Sequence, residues 1–309
     1  MSAAPSTVSA PFATALIQLG RARSDIVVLS ADLAKYTDVQ PFAEAFPDRF
    51  IEVGMSEQNM MGVAGGLAKS GFLPIAVTYG VFASRRSFDQ VAMALATGAS
   101  RGIVVGFLPG IVTPFRATHQ ATDDLALMRM IPRMVVIDPA DATELAAALK
   151  AGVADDRPVY LRGQRGAVPR LFAEDDANFR IGQARVLESA GEFGVIATGI
   201  ATQWALEALA ELKARGRTAA LLHVPTLKPL DPAVPIAFCQ RYPRVTTIEN
   251  HSTLGGLATV ISEMVATNGL RTSVQALGVP DRWAPGGSID YIRQALGLDP
   301  RGLADSIAA

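Results

Sequence analysis

The chain has 309 residues, a length that allows two domains of ordinary size, each with its own core. Its hydrophobic fraction of 50%, with 18% charged and 6% aromatic residues, is typical of layered α/β packing and excludes a disordered chain. The formal net charge is -1, and charged residues of both signs are spread along the sequence. This balance argues against nucleic acid and anionic membranes as partners.

The single cysteine and the first residues bear on the compartment. Cys239 has no second cysteine to pair with and no neighbours at metal-ligand spacing, so we expect a buried thiol in a reducing environment. Residues 1–10 lack the basic and apolar regions of a signal peptide, and no apolar run approaches membrane-spanning length. We therefore expect a cytoplasmic protein.

Short apolar runs alternate with amphipathic stretches as far as residue 160. The runs predicted as buried strands are Ile26–Leu29, Leu73–Val77, Gly102–Leu108 and Met134–Ile137. The helix patterns between them are Ser56–Lys69, Ser87–Thr97 and Ala142–Ala151. This alternation predicts βαβ units and a mostly parallel sheet covered on both faces.

The alternation breaks between Arg162 and Asn178, where Gly, Pro and charged residues follow neither period. It then resumes through Gly194–Ala197, Thr202–Arg215, Thr218–Val224, Arg244–Glu249 and Leu254–Asn268. We predict a first domain over residues 1–170, a linker over 171–183 and a second, smaller α/β domain over 184–309.

Glu57 lies in the most informative segment, Arg49–Ala68. A strand ends at Gly54, and a helix follows with Glu57 in its first turn. The helix dipole favours an acid at this position by roughly 0.3–1 kcal/mol, so Glu57 alone has a purely structural explanation.

The whole segment resembles the pyrimidine-binding domain of transketolases, and the resemblance continues through most of the chain. It implies two consecutive α/β domains with mostly parallel sheets. In that family the glutamate at the position of Glu57 binds the N1′ nitrogen of the aminopyrimidine ring of thiamine diphosphate. A carboxyl shielded from water can share its proton with this ring and so promote loss of the C2 proton of the cofactor. The resemblance thus implies that thiamine diphosphate is the cofactor and that Glu57 is catalytic.

The resemblance implies four further cofactor-binding residues. Tyr79 and Phe82 match two aromatic residues that pack on the pyrimidine ring, although an aromatic pair in a loop can also fill a core. Arg85 stands where many transketolases have a third aromatic residue, and it either lines the cofactor pocket through a cation–π contact or faces outward. Asp32 matches an acidic turn near the cofactor, or else it only satisfies backbone amides in that turn.

His119 belongs to the run Thr118-His119-Gln120, which matches a Thr-His-Gln motif of the family. In the family this histidine faces the substrate, whereas a lone histidine is otherwise often structural. The resemblance implies that His119 binds substrate and hydrogen-bonds the reacting hydroxyl or oxyanion.

The C-terminal half contains Thr247–His251 followed by Gly255-Gly256. This resembles a run that opens a helix in the C-terminal domain of transketolases and of the β subunits of 2-oxo-acid dehydrogenases. Because its glycines permit tight strand-to-helix packing, we interpret the segment as structural and interfacial.

Whole transketolases have an earlier domain that binds the diphosphate through Mg²⁺ and carries a Gly-Asp-Gly run, which this sequence lacks. We therefore expect a partner chain to hold the diphosphate and Mg²⁺, and we predict no metal ligand here. The resemblance implies the C-terminal subunit of a split, two-chain transketolase in an α₂β₂ heterotetramer with two-fold symmetry.

The expected substrate pocket departs from the family pattern. Tyr36 replaces a serine, and Gly163 replaces an arginine, that family members offer to sugar phosphates. Arg116, Arg162 or Arg165 could restore a phosphate contact by bidentate bonding. The donor is therefore left open as a sugar or sugar phosphate.

The leading hypothesis is transfer of a two-carbon ketol unit from a ketose (phosphate) donor to an aldose acceptor. A deoxyxylulose-phosphate-synthase-like enzyme would use the same glutamate, but such enzymes normally keep three domains on one chain. A 2-oxo-acid dehydrogenase β subunit has the same domain order, and the Thr-His-Gln match argues against it. A regulatory homologue that only binds a partner is the non-enzymatic alternative, and retention of Glu57 and Phe82 argues against it.

Overall fold

The fold is described by a computed structural model that covers residues 6–97, 101–176 and 178–309. Residues 1–5 and 98–100 of the predicted first domain and residue 177 of the predicted linker lie outside the described residues. In the part of the chain that is described, no helix has the length and apolar character needed to cross a membrane.

Strands and helices alternate through the N-terminal half. In chain order they are β1 (Thr7–Ser9), α1 (Pro11–Ala22), β2 (Ile26–Ser30), α2 (Gln40–Ala45), β3 (Phe50–Glu52), α3 (Glu57–Lys69), β4 (Leu73–Tyr79), α4 (Phe88–Gln90), β5 (Gly102–Phe107), α5 (Asp124–Met130), β6 (Val135–Ile137), α6 (Ala142–Ala154), β7 (Pro158–Gly163) and β8 (Ala167–Pro169). The helix predicted over residues 87–97 is α-helical only in α4, because wider π-helical turns, Phe82–Arg86 and Val91–Thr97, flank it.

The C-terminal half continues with a second set of elements. They are β9 (Arg185–Glu188), β10 (Phe193–Ala197), α7 (Ala201–Ala214), β11 (Ala219–His223), β12 (Thr226–Lys228), α8 (Ala233–Cys239), β13 (Arg244–Ser252), α9 (Leu257–Thr267), β14 (Ser273–Val279), α10 (Ile289–Leu296) and α11 (Pro300–Ala308). Five strands form a sheet in the order β14-β13-β10-β11-β9, with parallel pairing except at the edge strand β9.

The first sheet has seven strands in the order β12-β6-β7-β5-β4-β2-β3. Its six strands from the N-terminal half pair in parallel, and β12 from the C-terminal half adds to the edge antiparallel to β6. The prediction of two consecutive α/β domains with mostly parallel sheets is confirmed. The crossing of β12 was not predicted, and the exact domain boundaries stay a prediction.

Helices cover both faces of the first sheet, which explains why its central strands are apolar throughout. Phe12 and Leu16 of α1 pack with α6 on one face, and Met60 and Met61 of α3 pack on the other. Gly65 allows the close approach of α3 to the turn Val91–Thr97, because a Cβ there would overlap the carbonyl of the residue opposite. Both faces of the first sheet are therefore covered by helices, as a buried parallel sheet requires.

Cys239 ends α8 and is fully buried, so the prediction of a buried thiol is confirmed. Burial raises the pKa of this thiol to about 11. A thiol with a raised pKa is a poor nucleophile at neutral pH, which agrees with a packing role.

A buried cluster of charges joins the two halves. Arg162 at the end of β7 is 1% exposed and donates to both oxygens of Asp124, at 2.9 and 2.5 Å. Its remaining terminal nitrogen donates to Asp138 at 3.1 Å and to the carbonyl of Asn250 at 3.2 Å. Tyr160 adds a hydrogen bond to Asp124 at 2.7 Å. Because Asn250 belongs to β13, this cluster ties the second domain to the first.

A second buried pair spans the same interface. His223 at the end of β11 lies 2.8 Å from the carboxylate of Glu144 in α6, and its other ring nitrogen lies 2.7 Å from the hydroxyl of Thr202. Both members of the pair are inaccessible to solvent. The domains are therefore held together by specific polar contacts as well as by β12.

Glu249 closes the N-terminus of α9. Its two carboxylate oxygens accept the backbone N–H groups of Leu257 at 2.7 Å and Ala258 at 2.9 Å. A Cβ at Gly256 would overlap the carboxylate, and Gly255 has a φ of 81°. These contacts agree with the structural interpretation of the segment, since the glycines let the strand end and the helix start meet.

The capping carboxylate predicts a pH effect on stability. Burial raises the pKa of Glu249 from 4.5 to about 7, so the folded chain holds this proton more tightly than the unfolded chain does. The contribution of Glu249 is therefore fully favourable below pH 4.5 and declines as the pH rises towards 7. We expect the free energy of unfolding of the native protein to fall, relative to that of Glu249→Gln, as the pH rises from 5 to 7.5, as measured by urea unfolding.

The comparison between the two proteins is needed because His251 titrates in the opposite sense. Burial lowers the pKa of His251 from 6.5 to about 4, so its contribution rises with pH over an overlapping range. Glu174→Gln, at an 82% exposed side chain, is the control and should run parallel to the native protein. Parallel curves for Glu249→Gln as well would contradict the prediction.

Candidate active site

The predicted site residues follow the carboxyl ends of neighbouring parallel strands. Asp32 comes after β2, Glu57 comes after β3, Tyr79 ends β4, and His119 lies in the loop after β5. In open α/β sheets, ligands bind in the crevice outside the carboxyl ends of the strands. The topology therefore brings all four positions to the carboxyl ends of the strands, where a ligand is expected.

Glu57 is the first residue of α3 and is only 2% exposed. Its two carboxylate oxygens accept hydrogen bonds from one nitrogen of Arg86, Nη1, at 2.9 and 3.0 Å. The helix N-terminus also favours negative charge at this position. The result is a buried carboxylate held between a helix dipole and one guanidinium.

Arg86 was missed by the sequence analysis. Its guanidinium carbon lies 4.2 Å from the ring centroid of Phe82, so one cation contacts both the carboxylate of Glu57 and an aromatic face. Arg86 follows Phe82 by four residues, a spacing that places two side chains on one side of a helix. That spacing is the signal that could have found the aromatic contact.

The aromatic residues and the histidine form one cluster. Tyr79 and Phe82 stack with ring centroids 5.9 Å apart, and His119 meets the ring of Phe82 edge-on at 5.5 Å. The hydroxyl of Thr118 lies 2.9 Å from Nδ1 of His119, and the exposed ring of Phe115 lies 4.9 Å from the imidazole. The structure thus brings Tyr79, Phe82 and His119 together, and their roles towards a cofactor or substrate stay predictions.

Arg85 is partly buried and contacts other groups of the protein, and its place in a cofactor pocket stays a prediction. Its Nε donates to the carboxylate of Asp123 at 2.8 Å, and Nη1 donates to the carbonyl of Ala117 at 2.9 Å. The guanidinium also lies 5.4 Å from the ring of Trp283 in the second domain. The observed cation–π contact is therefore with protein, and Arg85 braces the loop that carries His119.

Asp32 occupies a turn that another side chain organises. It has a φ of 59°, in the left-handed region, and it is exposed. The carboxylate of Glu52 accepts the backbone N–H of Asp32 at 2.7 Å and that of Gly54 at 2.9 Å. Glu52 therefore binds two backbone amides of this turn, and the side chain of Asp32 is exposed. The place of Asp32 near a cofactor stays a prediction.

The three arginines suggested for a phosphate contact differ in availability. The suggestion that Arg162 contacts a phosphate is corrected by the structure. Its guanidinium is buried in the domain interface, where it donates to two carboxylates and a carbonyl. Arg116 is exposed, and its side-chain stem lies next to Gly286. Arg165 is also exposed and donates to the carbonyl of Tyr36 at 3.1 Å. Only Arg116 and Arg165, of these three, have exposed side chains.

A cavity of about 560 Å³ lies between the two domains beside these residues. Its walls include Tyr79, Phe115 and Arg165 from the first domain and Ile200 and Ile289 from the second. Burial raises the pKa of Tyr79, and the nearby positive charge of Arg165 opposes this rise. The cavity has the size of an ordinary small-molecule site and combines apolar walls with one accessible cation.

Comparison with known proteins identifies the family of the chain. Two family models match: the transketolase pyrimidine binding domain over residues 5–170 and the transketolase C-terminal domain over residues 182–303. A putative uncharacterized transketolase family protein of Sinorhizobium fredii is 40% identical over 294 residues, which is 94% of this chain and 85% of that protein. A 6-deoxy-6-sulfo-D-fructose transketolase subunit of a Clostridium species is 36% identical over 92% of this chain and 88% of its own length.

A solved structure described as a split gene transketolase, inactive beta4 tetramer, superposes with a TM-score of 0.86. It is 35% identical, and the match covers 96% of both chains. The chain therefore belongs to the transketolase family, and its two domains are those of the C-terminal subunit of a split transketolase.

Proposed function

We propose that this chain acts in a thiamine-diphosphate-dependent transketolase that transfers a two-carbon ketol unit from a ketose donor to an aldose acceptor. The observation that carries the proposal is the carboxylate of Glu57, buried at the start of α3 and adjacent to the guanidinium that covers Phe82. The printed name of the Clostridium relative, a sugar transketolase subunit, supports the same type of reaction.

The residues present fit an aminopyrimidine ring. Glu57 offers a carboxylate shielded from water, and Phe82 and Tyr79 offer flat aromatic faces close to it. When bound, thiamine diphosphate supplies the carbon nucleophile that carries the ketol unit. In our proposal Glu57 holds or releases a proton at the ring nitrogen N1′, while Phe82 and Tyr79 orient the ring and exclude water.

His119 and the exposed arginines are assigned to the substrate. The hydroxyl of Thr118 next to Nδ1 orients the imidazole and leaves Nε2 to hydrogen-bond the reacting hydroxyl or oxyanion. Arg165 at the cavity wall, or Arg116 on the adjacent loop, binds an anionic end group of the sugar. The relative that acts on a 6-deoxy-6-sulfo sugar supports a donor with such an anionic end.

The diphosphate and Mg²⁺ are assigned to an N-terminal partner subunit, which gives a heterotetramer with the cofactor between the chains. The relative described as a split gene transketolase, inactive beta4 tetramer, supports this assignment, because a tetramer of its β chains is described as inactive. The cytoplasmic location stays a prediction.

The proposal predicts that this chain alone is inactive and binds no cofactor. Calorimetric titration of thiamine diphosphate with Mg²⁺ should give binding only after the candidate N-terminal subunit is added, since each chain supplies part of the site. The same mixture should transfer a ketol unit from a ketose to an aldehyde.

The outcomes separate the alternatives. Turnover by the isolated chain would contradict the two-subunit assignment. Preference for a 2-oxo acid over every ketose tested would favour a 2-oxo-acid dehydrogenase or deoxyxylulose-phosphate-synthase type of reaction. Complex formation without cofactor binding would favour a regulatory homologue.

A further inference from the structure

Arg86 makes the two contacts that the proposed function assigns to the aminopyrimidine ring. Its Nη1 bonds both oxygens of Glu57, at 2.9 and 3.0 Å, and its guanidinium lies over Phe82 at 4.2 Å. A guanidinium is planar, carries N–H donors and stacks on aromatic faces, as an aminopyrimidine does. The two groups therefore compete for the same carboxylate and the same ring face.

The burial of Glu57 makes this competition unavoidable. The residue is 2% exposed, so a ring arriving from solvent cannot bond the carboxylate while the guanidinium keeps its position. A buried carboxylate without a counter-charge is strongly unfavourable. Arg86 therefore stabilises the subunit in the absence of cofactor and has to be displaced when the ring binds.

The turn that carries Arg86 allows its side chain to leave. The side chain is 50% exposed, so a rotation takes the guanidinium into solvent without crossing the core. The hydroxyl of Ser87 donates to the carbonyls of Phe82 and Ala83, both at 3.1 Å, which holds the π-helical turn independently of Arg86. Arg85, by contrast, is fixed by the carboxylate of Asp123 and by backbone carbonyls.

We propose that the guanidinium of Arg86 occupies the aminopyrimidine position in the cofactor-free subunit and turns outward when thiamine diphosphate binds. This inference rests on the proposed function, and it assigns Arg86 to the control of cofactor affinity. The displacement of Arg86 makes the affinity for thiamine diphosphate lower than the contacts of Glu57 and Phe82 alone would give. The same pair stabilises the subunit before it assembles with its partner.

The first test uses the isolated chain and needs no partner. Melting temperatures are measured for the native protein, Arg86→Gln, Glu57→Gln and the double variant. Arg86→Gln should lower the melting temperature, and the loss should be much smaller in the Glu57→Gln background, because the pair acts as a unit. Fully additive losses would show that the pair does not form and would overturn the inference.

The second test measures thiamine diphosphate binding by calorimetry, with Mg²⁺, to the chain mixed with its N-terminal subunit. Arg86→Gln should bind the cofactor roughly tenfold or more tightly than the native protein, since the carboxylate no longer has to give up a charged partner. The gain should disappear when Glu57→Gln is also present.

Arg217→Gln is the matched control, because Arg217 pairs with Glu192 and lies 4.7 Å from the ring of Phe193, far along the chain in the second domain. Its cofactor affinity should equal that of the native protein. Weaker or unchanged binding by Arg86→Gln, with the native mixture binding normally, would overturn the inference alone. Failure of the native mixture to bind the cofactor would overturn the proposed function, and the inference with it.

Discussion

Replacing Glu57 by glutamine in the assembled two-subunit enzyme is expected to reduce kcat for ketol transfer by about 10²–10⁴-fold, the range typical of a general acid or base. The amide keeps the size of the side chain and can still form hydrogen bonds, but it cannot exchange a proton at neutral pH. The measurement is steady-state transfer from a ketose to an aldehyde, with saturating thiamine diphosphate.

Two comparisons make the result specific to Glu57. Glu174→Gln removes a carboxylate of the same kind at the protein surface and should leave kcat unchanged. Glu57→Ala should be at least as damaging as Glu57→Gln, because it also removes the side chain that would contact the ring nitrogen. Transfer at the native rate by either Glu57 variant would refute the proposed proton-transfer role.

Replacing Arg162 by methionine is expected to lower the free energy of unfolding by about 3–5 kcal/mol, the usual loss when one partner of a buried ion pair is removed. Asp124 and Asp138 would then lie buried without their shared cation. A loss of this size is a large part of the stability of a typical domain. Urea unfolding at neutral pH measures it.

The pH dependence of this loss follows from the same charges. Burial already raises the pKa of Asp138 to about 6, and removal of Arg162 would raise it further. Such a group contributes most below its ordinary pKa of 3.8 and loses stability as the pH rises. The loss of unfolding free energy in Arg162→Met, relative to the native protein, should therefore be smallest at acidic pH.

Arg217→Met is the control for this experiment as well, since the Arg217–Glu192 pair is about half exposed and should contribute no more than about 1 kcal/mol. Equal, small losses for Arg162→Met and Arg217→Met would contradict the role given to the buried cluster.

The regular elements could be predicted because they depend on local patterns. The runs beginning at Ile26 and Leu73 are short, apolar and rich in β-branched residues, which suits strands covered on both sides, and they appear as β2 and β4 with ends shifted by one or two residues. The helix predicted over 56–69 is α3, starting at Glu57. In each case the local pattern of apolar residues contained the information needed.

The site was predictable only in part. Glu57, Phe82 and His119 were identified through a family resemblance, and the fold brings Phe82 and His119 into contact. The Glu57–Arg86 pair depends on the approach of two segments 29 residues apart, which no local spacing encodes. The sequence leaves Arg162 open for a phosphate contact, whereas in the fold its guanidinium is buried against acids that are distant along the chain.

Strand β12 prevents a clean separation of the two domains. It leaves the second domain to complete the edge of the first sheet, pairing Thr226 with Ile137. A cut between the domains would strip this strand away and expose the edge of β6, and unprotected edges invite association with other chains. For fusion or subunit exchange, the two domains therefore have to be transferred together, with the junctions placed before the first domain or after the second.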